Sequence, residues 1–237
     1  MISNPMLRVY RDARKNERRK EMLFWEPSDF NRFIKCFEDD IMYETLFMLL
    51  YYMGCRKGEA LALHWRDVDF NSKTITIDKT IDFMNGKRES PPKTNNSYRT
   101  ITMPNVLVHQ MKRCYAESST WANFEGEDSY VFGNDTVLAE QTIRRRLNKG
   151  VEIVNGSLDS LKDPLQAKMI GPIPRIRVHD FRHSHASYLI NNMNKGFTDY
   201  DIAKRLGDTI ETLHNTYSHW FKTKDEDIIN FMNQDTY

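Results

Sequence analysis

The stretch YETLFMLLYYMGCRKGEALALHW, Tyr43 to Trp65, decides how this chain folds. From Tyr43 to Gly54 it is apolar nearly all round rather than along one stripe, and a helix of that composition has to be buried on every side. Gly54 suits the left-handed residue that ends many helices. Arg56 and Glu59 follow immediately, at the end of this helix and the start of the next, GEALALHW. Charged groups so close to a buried element need a partner or a ligand, because an unpaired charge in an apolar interior is costly.

Working outward, EPSDFNRFIKCF reads as a helix with Ser28 as N-cap and Phe30, Phe33, Ile34 and Phe37 on one face. From Thr74 to Ile101 the period changes to two: TITIDKTIDF, a turn at NGK, a Pro-Pro break with PPKTNNS in the loop, then YRTITM, which predicts a small antiparallel sheet. Helices resume at NVLVHQMKRCYAES and LAEQTIRRRLNKG, with the short apolar YVF between them. Gly150 to Pro174 reads mainly as a long loop. Three further helices are expected at Asp180 to Asn192, at Asp199 to Leu206 with Thr198 as cap and Gly207 as stop, and at Thr209 to Trp220, before an amphipathic DEDIINFMN. The fold class expected is α+β: a mainly helical single domain with a small antiparallel β-sheet.

The 237 residues, 40% hydrophobic and 28% charged, suit a globular core that needs no staples. No apolar run approaches the roughly 18 residues of a membrane span, and the start lacks the apolar stretch of a signal peptide. A cytoplasmic protein without a membrane partner is expected. Cys36, Cys55 and Cys114 match neither a disulfide framework nor a zinc spacing, and reduced core cysteines are expected. The formal net charge of +1 hides an uneven distribution, with Arg8, Arg11, Arg14, Lys15, Arg18, Arg19 and Lys20 crowding the start. Such a basic arm is either a DNA-contacting device or solvated surface.

VHDFRHSHAS, Val178 to Ser187, concentrates the chemistry. On a helix His179, Arg182 and His183 share a face. His179 and His183 have the spacing of the zinc-binding H-E-x-x-H, but Asp180 replaces the glutamate base and Arg182 would oppose a dication, so no metal and no other cofactor are expected. His183 and His185 suit structural, hydrogen-bonded roles. Arg182 facing the interior of a helical layer wants an anion or a carboxylate, and a phosphodiester has the right shape. In-line attack on a phosphodiester spreads charge over two non-bridging oxygens, so a second guanidinium should exist. Arg56 supplies it, with Glu59 as tether, unless the two are merely a surface pair. A tyrosine hydroxyl beside clustered positive charge makes a usable nucleophile, and its aryl phosphate keeps the energy of the broken bond. Tyr217, in LHNTYSHW, lies on a late helix suited to this. Lys93, between strands, either protonates the departing 5′ oxygen or is a solvated lysine.

Together these segments resemble the catalytic domain of the tyrosine recombinases, the integrases of phages and mobile elements. YYMGCRKGEALALHWRDVDF is like the family's first arginine motif, KTNNSYRTITMP like its lysine hairpin, VHDFRHSHAS like its H-x-x-R box and NTYSHW like its nucleophile segment. The resemblance runs from about Phe24 to Trp220. It implies the tyrosine recombinase catalytic-domain fold over residues 24–220. It also implies Tyr217 as nucleophile, Arg56 and Arg182 as phosphate clamps, Lys93 as general acid and His179 as a proton-handling or phosphate-binding partner. The implied reaction leaves a 3′-phosphotyrosyl bond to double-stranded DNA and a free 5′ hydroxyl, and a second strand then reverses it. The implied assembly is a homotetramer on paired sites.

Two departures matter. Where the family has LGH, this chain has RLGDTIETLHNTY, with Asp208 in place of the phosphate-binding His or Trp. A carboxylate there either turns toward an arginine or lowers the rate, and a DNA-binding relative that no longer reacts is the alternative reading. His214 is either a substitute donor or a surface histidine. The second departure is that family members commonly carry a separate N-terminal DNA-clamping domain. Residues 1–23 resemble the linker to it, which makes the chain a catalytic fragment or a short form, and 221–237 form a tail that packs on its own domain or on a neighbour. For DNA reading outside the site, Gln141, Arg144 and Arg145 in EQTIRRRLNKG suit the major groove, or equally a solvated basic face.

Overall fold

The computed structural model describes residues 22–83, 88–92, 94–161 and 163–221. Helix α1 (Pro27–Ile34) starts on Pro27 and takes Glu26, not Ser28, as its N-cap. The reason is steric: a residue preceding proline is pushed to extended backbone, which is what a cap requires. In α2 (Ile41–Met53) every residue from Tyr43 to Tyr51 is buried, as its all-round apolarity demands. Gly54 ends it with φ 61°. Short α3 (Lys57–Leu61) follows with Arg56 as its N-cap.

The expected sheet divides into two. Strands β1 (Val68–Asp69), β2 (Thr74–Ile77) and β5 (Arg99–Thr102) form one antiparallel sheet, with Ile75 opposite Ile101 and Ile77 opposite Arg99. Strands β3 (Thr80–Asp82) and β4 (Arg88–Ser90) pair separately. The break falls at Asp78-Lys79, where Lys79 Nζ donates to the carboxylates of Asp67 (2.7 Å) and Asp78 (2.9 Å). The NGK turn lies outside the described residues, as do the basic arm through residue 21 and the tail from 222. Gly58 lets α3 lie against β3, since a Cβ there would stand 2.4 Å from Thr80 Oγ1.

Helix α4 (Asn105–Ser118) falls where expected. Helix α5 (Glu140–Asp159) does not stop at Gly150, and α6 (Pro164–Ile170) occupies more of the stretch expected as loop. Ile143, Leu147, Val151 and Val154 continue one buried stripe straight through that glycine. Gly150 is there for close approach: a Cβ would come within 2.6 Å of Phe33 and 2.9 Å of Phe37.

The chain closes with α7 (Asp180–Asn191), α8 (Asp199–Leu206) and α9 (Ile210–Tyr217), the last followed by a single 3₁₀ turn at Ser218–Trp220 rather than by more α-helix. The main core joins Trp25, Phe30, Phe33, Phe37, Phe47 and Phe181, so that α7 is pinned through Phe181 against α1 and α2. A smaller cluster of Ala186, Ile190, Ile202, Ala203, Leu206, Leu213 and Tyr217 welds α7, α8 and α9 together. The pocket described next lies where the two clusters meet.

Candidate active site

Two helix ends hold Arg182. Its Nη1 donates to the carbonyls of Gly54 (2.9 Å) and Leu206 (2.7 Å), which close α2 and α8. Helix C-termini carry partial negative charge from unpaired carbonyls, so two of them aimed at one guanidinium stabilise its charge at 3% exposure. With Nη1 fully used, the other edge of Arg182 is left to face the pocket.

Arg56 reaches the same place from the start of α3. Glu59 accepts its backbone N–H (2.8 Å) and its Nη1 (2.9 Å), and also accepts Nη2 of Arg99 (2.8 Å). Burial alone would raise the Glu59 carboxyl, but the hydrogen bond and charge of Arg99, with those of Arg56, outweigh it and hold the group below the usual range. Glu59 is therefore the tether expected, and it carries a second arginine that the sequence reading did not single out. Arg99 was detectable: it lies two residues from the buried Ile101 on β5, so strand alternation turns both to the same face.

Asp208 lies between the two clamping candidates. One carboxylate oxygen accepts Arg56 Nη2 at 2.7 Å and the other accepts Arg182 Nη2 at 2.5 Å. Asp208 thus turns toward both arginines at once. It closes the pocket with the same kind of two-oxygen, two-guanidinium arrangement that a phosphate would make.

Tyr217, at the end of α9, is 2% exposed, and its hydroxyl is 3.0 Å from Nδ1 of His183. Burial foremost pushes its pKa up to about 12, with Asp208 adding to the rise and the charges of Arg182 and Arg56 opposing it. At rest the phenol keeps its proton. His183 is pushed down to about 4, by burial first and then by His179 and the neighbouring arginines, so its ring is neutral. His179, with its ring 5.0 Å from that of His183, is also lowered, by burial and by Arg182. Arg56, Arg182, His179, Asp208 and Tyr217 are therefore neighbours, linked by hydrogen bonds and by charge. Lys93 lies outside the described residues, although Ser97 on its loop is 3.4 Å from Arg56 Nη1.

His185 stands behind the pocket, as a structural residue should. Its Nδ1 meets the Tyr51 carbonyl at 2.9 Å and its Nε2 accepts Arg205 Nε at 3.1 Å, which assigns the proton to Nδ1. His214 is half-exposed and paired with Asp199 at 2.8 Å, away from Tyr217's hydroxyl. Among the described residues no three His, Cys, Asp or Glu side chains gather as metal ligands.

Arg56 and His179 also line a cleft of about 870 Å³ between α3, the β3–β4 pair, the start of α5 and the segment before α7. Arg56, Lys57, Arg144, Arg175, Arg177 and His179 line it together with Asp82 and Glu140, the latter paired with Lys57. Gln141, Arg144 and Arg145 are exposed on α5, with Arg144 facing this cleft. Arg175 and Arg177, which the motif reading passed over, extend the basic rim.

The model of the Phage integrase family matches residues 24–224. The chain is 29% identical over 218 residues to the ICEBs1 integrase of Bacillus subtilis, covering 89% of this chain and 54% of that protein. It is 27% identical over 201 residues to the XerC-like tyrosine recombinase of Caldanaerobacter subterraneus, covering 74% of this chain and 45% of that one. The chain thus spans about half the length of these relatives. In fold it is similar to the Tn1549 transposon integrase solved with transposon right end DNA (TM-score 0.72, 18% identity, 94% of this chain and 69% of that chain). It is also similar to XerA recombinase (TM-score 0.58, 18% identity, 98% and 70%).

Proposed function

Because the chain belongs to the phage integrase family of tyrosine recombinases, we propose that it cleaves and rejoins DNA strands at specific sites through a covalent 3′-phosphotyrosyl intermediate, as the catalytic part of a mobile-element or phage integrase. What supports this reading is the convergence of Arg56 and Arg182, distant in sequence, on Asp208, with Tyr217 close enough to feel the charges of all three. Arg56 and Arg182 hold the non-bridging oxygens of the scissile phosphate and neutralise the charge that grows on them during attack. Tyr217 Oη forms the new bond to phosphorus, and the 5′ oxygen leaves with a proton from Lys93. His179, neutral and beside Arg182, hydrogen-bonds the phosphate. The bond energy retained in the aryl phosphate lets a second strand's 5′ hydroxyl reverse the step without a high-energy cofactor.

Double-stranded DNA is the partner proposed, and it fits the basic cleft. Arg144, Arg145 and Gln141 meet the duplex from α5, and the full-length protein assembles as a homotetramer on paired sites. Residues 1–23 act as a linker to a DNA-clamping domain and 221–237 as a packing tail. No helix among the described residues is long and apolar enough to cross a membrane, and the proposed compartment is the cytoplasm.

A pool of nicked duplexes of random sequence tests the reading, because the nick lets the cleaved end diffuse away and traps the adduct. Covalent protein–DNA complexes that survive denaturation, form in EDTA and vanish in Tyr217→Phe are expected. One observation favours a second reading, a DNA binder that does not react: Asp208 already fills the space between the arginines. Duplex binding with no adduct from the wild-type chain is the result that would select it.

A further inference from the structure

Tyr217 is the last residue of α9, a helix of eight residues. A helix that short is unstable in isolation, and its final turn frays unless something outside it holds the end. In-line attack tolerates little wandering, because a displacement of about 1 Å can cost about 10²-fold in rate. We infer that Trp220 and Phe24 are positioning residues that strap the Tyr217 phenol to the chain entering the domain, an inference that rests on the reading of Tyr217 as nucleophile. The ring of Trp220 stacks on that of Tyr217, with centroids 5.1 Å apart and planes 19° from parallel. Phe24 in turn meets Trp220 edge to face, at 5.1 Å and 71°.

The strap has a local and a distant cause. After α9 the chain tightens into the 3₁₀ turn Ser218–Trp220, and residues three apart in such a turn eclipse, so Trp220 is set over Tyr217. Phe24 is fixed by its neighbour. Trp25 is buried; its backbone N–H donates to Ser184 Oγ (2.9 Å), its indole N–H donates to the Pro174 carbonyl (2.8 Å), and its ring packs against Phe33 and Phe181. Met22 lies with Trp220 and Phe221 against the smaller cluster that contains Tyr217. Helix α7 closes the loop, since His183 meets the Tyr217 hydroxyl and the next residue, Ser184, anchors Trp25. The phenol is thus held at its oxygen by α7 and across its ring face by Trp220.

Phe24 and Trp220 are both half-buried, whereas the main core around α1, α2 and α7 is built by Trp25, Phe30, Phe33 and Phe181. Truncating either of the two strap rings leaves that core intact and loosens chiefly the end of α9. Phe24 also belongs to the segment that leads into α1, so a displacement of that segment reaches the attacking oxygen through two ring contacts without passing through the main core. Movement of the entering chain and the rate of cleavage are thereby coupled.

With the nicked duplex pool at saturating concentration, Phe24→Ala should slow adduct formation about tenfold and Trp220→Ala about 10²-fold, while non-covalent DNA affinity stays within about twofold. Because Phe24 acts through Trp220, the double variant should be slower than Trp220→Ala by no more than about twofold. Trp220→Phe keeps a ring over Tyr217 and should recover to within about fivefold of wild type. Single variants as fast as wild type, effects that multiply in the double variant, or a Trp220→Phe chain as slow as Trp220→Ala each overturn the strap. A measurement without DNA guards against variants that fail to fold. In the unmutated chain the indole ring current should displace the Tyr217 ring protons upfield in the NMR spectrum, a signal identified by its loss in Tyr217→Phe, and Phe24→Ala should move it back toward the ordinary tyrosine range. A Tyr217 signal in the ordinary range in the unmutated chain, or one unmoved by Phe24→Ala, overturns the inference by itself. The displaced signal in a wild-type chain that forms no adduct would instead bring down the reading of Tyr217 as nucleophile, and the positioning role with it.

Discussion

Asp208 stands 2.5 Å from Nη2 of Arg182 and bridges with its other oxygen to Arg56. The protein at rest therefore satisfies its own anion site. Without Asp208 the buried Arg182 would have only carbonyl dipoles to oppose its charge, whereas Arg56 keeps Glu59, so the carboxylate stabilises the free protein through Arg182. If the two guanidiniums receive a phosphodiester as proposed, the same carboxylate must repel it.

These opposed effects give a prediction with two signs. Asp208→Asn should unfold at lower urea concentration, by about 1–3 kcal/mol, because it weakens a buried charge-assisted pair. It should nevertheless form covalent DNA adducts faster than wild type, by about tenfold, since an amide can donate to the developing oxyanion where a carboxylate cannot. An adduct rate that falls together with stability would mean that Asp208 orients the arginines during catalysis.

Two glycines in or after helices should behave oppositely on substitution. At Gly54 the backbone has φ 61°, and a Cβ would come within 2.5 Å of His185 and 3.0 Å of Leu206. Gly54→Ala should therefore cost about 2–4 kcal/mol by combining left-handed strain with overpacking. It should also slow cleavage by shifting the carbonyl that holds Arg182. Gly156, inside α5 with no atom within 4 Å of a built Cβ, should accept alanine with a gain of about 0.5–1 kcal/mol. Chemical denaturation of both variants checks the pair, and equal effects would contradict the packing described.

Arg144 faces the basic cleft, whereas Arg145 is exposed one residue on along α5. If Arg144 contacts a backbone phosphate, Arg144→Ala should weaken binding to all duplexes alike and reduce the slope of log affinity against log salt by about 0.9. Titrations at several salt concentrations read the slope. An unchanged slope with altered sequence preference would make Arg144 a base-reading residue instead.

How far the sequence foretold this site depends on the range of each interaction. Helix α2 was legible because nine consecutive buried residues leave no exposed face to confuse its period. The pairing of Arg56 with Glu59 was legible because it spans three residues. Gly150 misled, since a glycine that ends a helix and one that admits Phe33 look alike in one dimension, and only the stripe from Ile143 to Val154 separates them. Arg99 was within reach of strand alternation but drew no attention beside the motif residues. The contact between His183 and Tyr217 spans 34 positions and leaves no local trace. Its existence depends on how α7, α8 and α9 pack, which the sequence pattern alone does not specify.

Acid sensitivity follows from the same packing. His183 and His185 have pKa values pushed down to about 4 and about 3 by burial, against about 6.5 in the unfolded chain. Between those limits only the unfolded state takes up the protons. Stability contributed by these rings is thus fully present above pH 6.5 and is lost as pH falls toward their folded values. Each fully titrating ring costs at most about 1.4 kcal/mol per pH unit, less for His183, whose surroundings are more polar than those of His185. The depressed Glu59 carboxyl adds its own loss only below its ordinary value near 4.5, so the two causes occupy different windows. Urea unfolding should show stability flat from pH 8 to 6.5 and falling from 6.5 to 5, before carboxylates begin to titrate. A flat response down to pH 5 would mean that these rings are not desolvated as the packing of α7 requires.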